Sequence, residues 1–219
     1  MNDVDLLVKR HARLAKDSID AGTPEPHQPV ELAGMPVMSR LLSAATVTPV
    51  RIDGVDHELL AWGPTTDRRG WLCRLPELDG DDAGIPEALR AVWTATGGIV
   101  EHFGEAPDPW WWLNCGDVLT REVSGLPVDQ TLDAYEWMWA DERRRMPIAA
   151  TDYVPVAEEA NGNLTLAHRS TGQVVWFAPD HFTSDVTELP GCPEYTLYTF
   201  DGVPDLASWI ETGAAQWAR

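Results

Sequence analysis

The apolar residues near the start of the chain recur at helical spacing. Val4, Leu7, Val8, His11, Leu14 and Ala15 share one stripe, which predicts a helix over 3–20 that ends at Gly22 and Pro24. His11 lies on that stripe and reads as a packed, hydrogen-bonded histidine. Residues 22–34 carry proline and glycine and read as a linker. Pro36 suits the first turn of a short second helix that turns Val37, Met38, Leu41, Leu42 and Ala45 inward. The period then changes. Residues 46–52 are rich in β-branched side chains, Asp53-Gly54 is a tight-hairpin dipeptide, and 55–62 returns as the partner strand. Residues 71–75 give a third strand.

Residues 85–96 give the clearest helix, with Pro86 at its start, Ile85, Leu89, Val92 and Trp93 on one face, and Gly97-Gly98 predicted as its left-handed stop. Residues 99–103 and 110–115 read as strands. A further helix is predicted over 131–145, capped by Asp129 or Thr131, with Leu132, Tyr135, Met138 and Trp139 inward and Trp137 outward. Arg143, Arg144 and Arg145 fall at its negative end, where cations are favoured. Residues 153–157, 164–168 and 173–177 form an antiparallel meander, with turns at Asn161-Gly162 and Ser170-Thr171-Gly172. Leu206, Trp209, Ile210 and Ala214 keep helical step in a closing helix over 203–217. Hairpin signals of this kind predict an α+β fold with an antiparallel-rich central sheet flanked by helices.

Three stretches resemble the SUKH superfamily, the Smi/Knr-like proteins that include bacterial immunity proteins. The first is the proline–helix–glycine unit at 85–98. The second is the strand, acidic turn and strand of Tyr-Val-Pro-Val-Ala-Glu-Glu-Ala-Asn-Gly-Asn-Leu-Thr-Leu at 153–166, continued by Gly-Gln-Val-Val-Trp-Phe-Ala-Pro-Asp-His at 172–181. The third is Tyr198-Thr199-Phe200 with the closing helix. The resemblance covers roughly 85–217 and implies a SUKH-like fold. It divides the chain into an N-terminal portion, 1–80, of helices and a hairpin, either an elaboration or an integral part of the fold, and a SUKH-like portion, 81–219, within one compact unit.

Charge then narrows the function classes. The 219 residues hold 35 acids against 16 bases, a formal charge of -19. Nucleic acid and anionic membrane both demand the opposite balance. From Met146 to Ala218 the only Lys or Arg is Arg169, against ten acids. Such a surface keeps a protein soluble, and it also suits a basic partner, because complementary charge speeds encounter and rejects wrong partners. Cys73, Cys115 and Cys192 are scattered and odd in number, no CxxC occurs, and no targeting segment or span is visible. A reduced cytoplasm is the expected home.

GxSxG, P-loop, GxGxxG and HExxH are absent, and no two of the six histidines share a helical i, i+4 pair. No catalytic residue, metal or cofactor is therefore expected. One alternative is a small hydrolase or ligand-binding site built from His168, Asp180 and His181, should the meander bring them together. Trp110-Trp111-Trp112 is the most unusual local run, and a strand would turn Trp111 away from the other two. Tryptophan is enriched where interfaces concentrate their binding energy. The resemblance and the charge together imply a non-enzymatic immunity protein that binds a cognate, basic toxin, with a nuclease as one candidate. Asp152, Glu158, Glu159 and Asp180 are the expected polar contacts, and Trp111 or Trp137 the expected anchor. A scaffold member of the same superfamily that binds a host protein is the other alternative.

Overall fold

A computed structural model describes residues 2–11, 13–14, 18–77, 82–104, 112 and 115–218. Among them, twelve strands form one antiparallel-rich sheet. In chain order these are β1 (Ile19–Ala21), β2 (Glu25–Pro26), β3 (Thr46–Ile52), β4 (Val55–Trp62), β5 (Arg69–Arg74), β6 (Ile99–Phe103), β7 (Cys115–Val118), β8 (Tyr153–Glu159), β9 (Leu164–His168), β10 (Val174–Phe177), β11 (Val186–Glu188) and β12 (Leu197–Phe200). They lie in the order β1-β3-β4-β5-β6-β7-β8-β9-β10-β12-β11, with β2 also on β3. Every pair is antiparallel, so the architecture is α+β. The sheet crosses residue 80 without a break, because β5 pairs with β6.

The helices are α1 (Asp3–Arg10), α2 (Pro36–Ala44), α3 (Glu87–Ala95), α4 (Arg121–Ser124), α5 (Val128–Ala134), α6 (Glu136–Asp141) and α7 (Leu206–Trp217). Strand alternation gives the sheet two apolar faces. One face packs against α2, α3 and α7 through Leu60, Trp71, Val154, Trp176 and Trp209. The other is covered in two patches. One, which includes Val4 and Leu7 of α1, joins Val50, Ile52, Leu59, Leu72 and Phe103. The other, which includes Leu132 of α5 and Trp139 of α6, joins Leu164, Leu166, Val175, Phe177 and Leu197. Under α7 the indoles of Trp62, Trp71, Trp112 and Trp209 form a row with centroids 4.7, 5.6 and 5.6 Å apart, and Trp217 lies 5.9 Å from Trp71. Gly213 leaves room for this row, since a Cβ there would meet Trp112 at 2.2 Å.

Several elements follow their local sequence closely. Asp53 and Gly54 take φ of 50° and 83°, as a two-residue hairpin turn requires. Asn2 and Asp5 cap α1 reciprocally. The Glu211 carboxylate on α7 accepts the Val37 and Met38 amides, each at 2.9 Å, and so caps α2 from a distant element.

Other expectations need correction. The first helix stops at Arg10 and does not run to residue 20. His11 Nε2 sits 2.6 Å from the His102 carbonyl, which turns the chain away, and Ile19 then joins β3 as part of β1. The stretch expected as a linker contains β2. Gly97-Gly98 is not a left-handed helix stop. Thr96 closes α3 in an extended conformation, and the glycines let β6 pass between neighbours, since a Cβ on Gly97 would meet the Leu75 carbonyl at 2.2 Å. The helix expected over 131–145 is two short helices that meet at Tyr135, whose ring packs edge-on against Phe177 at 5.2 Å. Neither Asp129 nor Thr131 caps α5, which Pro127 precedes without a side-chain cap. Arg143 is left-handed at φ 56° and Arg144 N–H bonds back to the Trp139 carbonyl, so the three arginines follow the helix. Of the strand expected at 110–115, Cys115 begins β7, Trp112 lies in a turn, and residues 110, 111, 113 and 114 lie outside the described residues.

Candidate functional site

The β8–β9 turn and the chain leaving β10 meet at one end of the sheet. Gly162, at φ 89°, makes the turn, and its amide donates to the Glu159 carbonyl at 2.9 Å. Because Leu164 pairs with Phe177, the residues after β10 come alongside this turn. Five polar residues converge there. Asp180 accepts from Asn161 Nδ2 at 2.7 Å and from Asn163 Nδ2 at 2.8 Å, and it lies 2.8 Å from His181 Nδ1. Glu159 accepts from the Trp176 indole at 2.9 Å and from Asn163 at 3.3 Å, and sits 3.6 Å from His181 Nε2. The His181 ring thus stands between two carboxylates and packs edge-on against Trp176 at 5.1 Å.

The two acids differ in environment. Burial pushes the Glu159 carboxyl above its ordinary value, against the pull of His181, Trp176 and Asn163. Burial acts in the same direction on Asp180 but is outweighed by hydrogen bonds from Asn163, His181 and Asn161, which hold it below the usual range. Glu159 is 13% exposed and Asp180 51%. Glu159 therefore ties the turn to the core, whereas Asp180 braces the turn from its solvent side.

Of the six residues expected to meet a partner, the structure brings together Glu159 and Asp180. Glu158 is the neighbour of Glu159 on β8 and projects to the opposite side, near Asp117, with which it is in register. Asp152 is exposed at the far end of β8, and its carbonyl accepts from Arg169 N–H at 2.8 Å. Trp137 is 57% exposed on α6. Trp111 lies outside the described residues.

The grouping of His168 with Asp180 and His181 is overturned. His168 lies at the opposite end of β9, where its Nδ1 accepts from the Ser170 and Thr171 amides at 3.2 and 3.3 Å. It closes the β9–β10 turn, so the antiparallel register separates it from His181 by the length of the strand. Cys73 is fully buried and its thiol is pushed up to about 12, chiefly by burial. Cys192 is also buried, and burial raises its thiol. Among the described residues, no group of three or more His, Cys, Asp or Glu is placed to hold a metal ion, and no helix is long and apolar enough to cross a membrane.

One pair escaped the sequence reading. Phe182, which follows Asp180-His181 in the chain, and Tyr195 are 53% and 37% exposed, and their rings meet at 5.7 Å. The cue lay in the sequence, an aromatic following Asp180-His181, but the tryptophan run was the more conspicuous aromatic feature. No protein-family model, curated protein or solved structure matches the chain.

Proposed function

We propose that this is a non-enzymatic binding protein of the SUKH type, an immunity protein that neutralises a basic toxin domain by covering its cationic surface. The observation that carries the reading is charge. One base, Arg169, stands against ten acids between Met146 and Ala218. Several of those acids, Asp180, Glu188 and Glu194 among them, are exposed where the chain leaves β10 and runs through β11 toward β12. A nuclease must be cationic to hold phosphate, and an acidic surface competes for that same face. The resemblance of 85–217 to immunity proteins supports the toxin as the class of partner, and the antiparallel α+β architecture is compatible with it.

The test is affinity capture from lysate and secreted fraction of the source cell, at low and moderate salt, with wild type and a Glu188→Lys/Glu194→Lys variant. One basic polypeptide is expected. Its toxic activity should be suppressed by the wild type, and its recovery should fall with salt and with charge reversal. Recovery unchanged by both, or capture of only acidic and neutral host proteins, would overturn the reading.

A further inference from the structure

We propose that Phe182 and Tyr195 form the anchor of this surface, a two-ring platform on which an arginine side chain of the basic partner stacks. This rests on the binding reading above and names the chemistry that the surface recognises. Among the described residues five large apolar side chains are exposed: Val55, Leu75, Trp137, Phe182 and Tyr195. Phe182 and Tyr195 touch each other edge to face, and Phe182 also stacks on Tyr198 at 6.5 Å. The arrangement is held by the backbone. Tyr195 takes φ 59°, a left-handed conformation that side-chain-bearing residues rarely adopt. Its N–H donates to the Tyr198 hydroxyl at 2.7 Å, which fixes the strained turn. Strain of this kind persists only where the surroundings enforce it, so the turn holds Tyr195 in one place.

Charge selects the occupant. Glu188 and Glu194 are exposed and near enough to Tyr198 to add to the effect of burial in raising its hydroxyl. Asp180, two residues before Phe182 in the chain, keeps half its side chain in solvent. Rings presenting negative faces, with Glu188 and Glu194 close to Tyr198 beneath them, favour a planar cation. The guanidinium group satisfies both, by stacking on the ring and by forked hydrogen bonds to carboxylate. A neutral sugar would gain only the rings, and an anionic ligand would be repelled.

The anchor can be tested without knowing the partner. The probe is a labelled peptide of four arginines spaced by glycine, titrated by fluorescence anisotropy at low salt against matched lysine and citrulline peptides. The arginine peptide is expected to bind tighter than the lysine peptide, and citrulline not at all. Phe182→Leu keeps an apolar side chain without a π face, and Tyr195→Gly relieves the backbone strain while removing the ring. Each should weaken arginine-peptide binding by about 2- to 30-fold, the usual worth of one cation–π contact. Glu188→Gln/Glu194→Gln should weaken both peptides and flatten the salt dependence. Unchanged arginine-peptide affinity in both ring variants, with thermal midpoints at wild-type level, would overturn the platform and leave general charge attraction. So would equal affinity for arginine and lysine. Capture of a basic toxin that survives both ring substitutions would sink the platform and spare the immunity reading. Ring-dependent peptide binding without any captured toxin would do the reverse.

Discussion

Replacing His102 with Phe should remove much of the protein's sensitivity to mild acid. His102 sits on β6, 8% exposed, with its ring 5.4 Å from Trp217. Its Nε2 is buried without a hydrogen-bond partner among the described residues. Burial, reinforced by His11 and Arg10, lowers its pKa to about 4 from an ordinary 6.5. Between those two values the unfolded chain binds a proton that the folded protein refuses. Stability is therefore whole above pH 6.5 and drains away as the pH falls toward 4. At pH 5 the unfolded histidine is protonated roughly 30-fold over its neutral form while the folded one stays mostly neutral, a loss of about 2 kcal/mol relative to pH 7. Phe keeps a ring against Trp217 and carries no proton. Urea unfolding followed by far-UV circular dichroism at pH 7, 6 and 5 should show wild type losing about 2 kcal/mol more than His102→Phe across that interval. The comparison isolates His102, because His11 and His57, which are also lowered, and Glu58, Asp117 and Glu159, which are raised, remain in both proteins. Parallel pH profiles for the two proteins would refute the claim that this imidazole is held neutral.

Three further substitutions probe the elements around the site. Asn163→Ala removes the amide that donates to both Glu159 and Asp180, and should cost about 2 kcal/mol in urea unfolding because two acids lose a buried donor. Gly213→Val drives a side chain into Trp112 and should cost about 2–3 kcal/mol, seen as a lowered thermal midpoint. A fully stable Gly213→Val would mean that the indole is not packed on α7. Glu211→Ala uncaps α2 and should cost about 1–2 kcal/mol, with faster hydrogen exchange at the Val37 and Met38 amides as its signature.

The parts of the fold that were legible in the sequence are those specified within a few residues. The β3–β4 hairpin is written in its alternation and in Asp53-Gly54, and α7 in its helical step, although it begins at Leu206 behind Asp205 and not at residue 203. What escaped depends on partners far along the chain. Nothing near Arg10 says that α1 must stop, because the contact that redirects the chain is His11 with His102, 91 positions on. The break at Tyr135 is set by Phe177 from another element. The site divides in the same way. Asn161-Gly162 announces a turn, but only the sheet register tells that Asp180 arrives beside it and His168 does not. Glu158 and Glu159 look equivalent in sequence. The Trp176 indole, across the sheet on β10, turns one of them inward. The left-handed turn at Tyr195 is held by a hydroxyl three residues ahead, which no propensity encodes.

The row of indoles under α7 has an optical consequence. Rings 4.7 to 5.6 Å apart pass excitation among themselves before they emit, so Trp62, Trp71, Trp112 and Trp209 behave as one chromophore array and not as four reporters. Emission from the folded protein should be depolarised even in a frozen glass, and the near-ultraviolet dichroism should carry coupled bands that collapse together on unfolding. Removing any one indole would reshape the whole spectrum. Assigning the native signal to single tryptophans by substitution would therefore mislead, whereas the intensity of the coupled bands would measure how intact the α7 layer is.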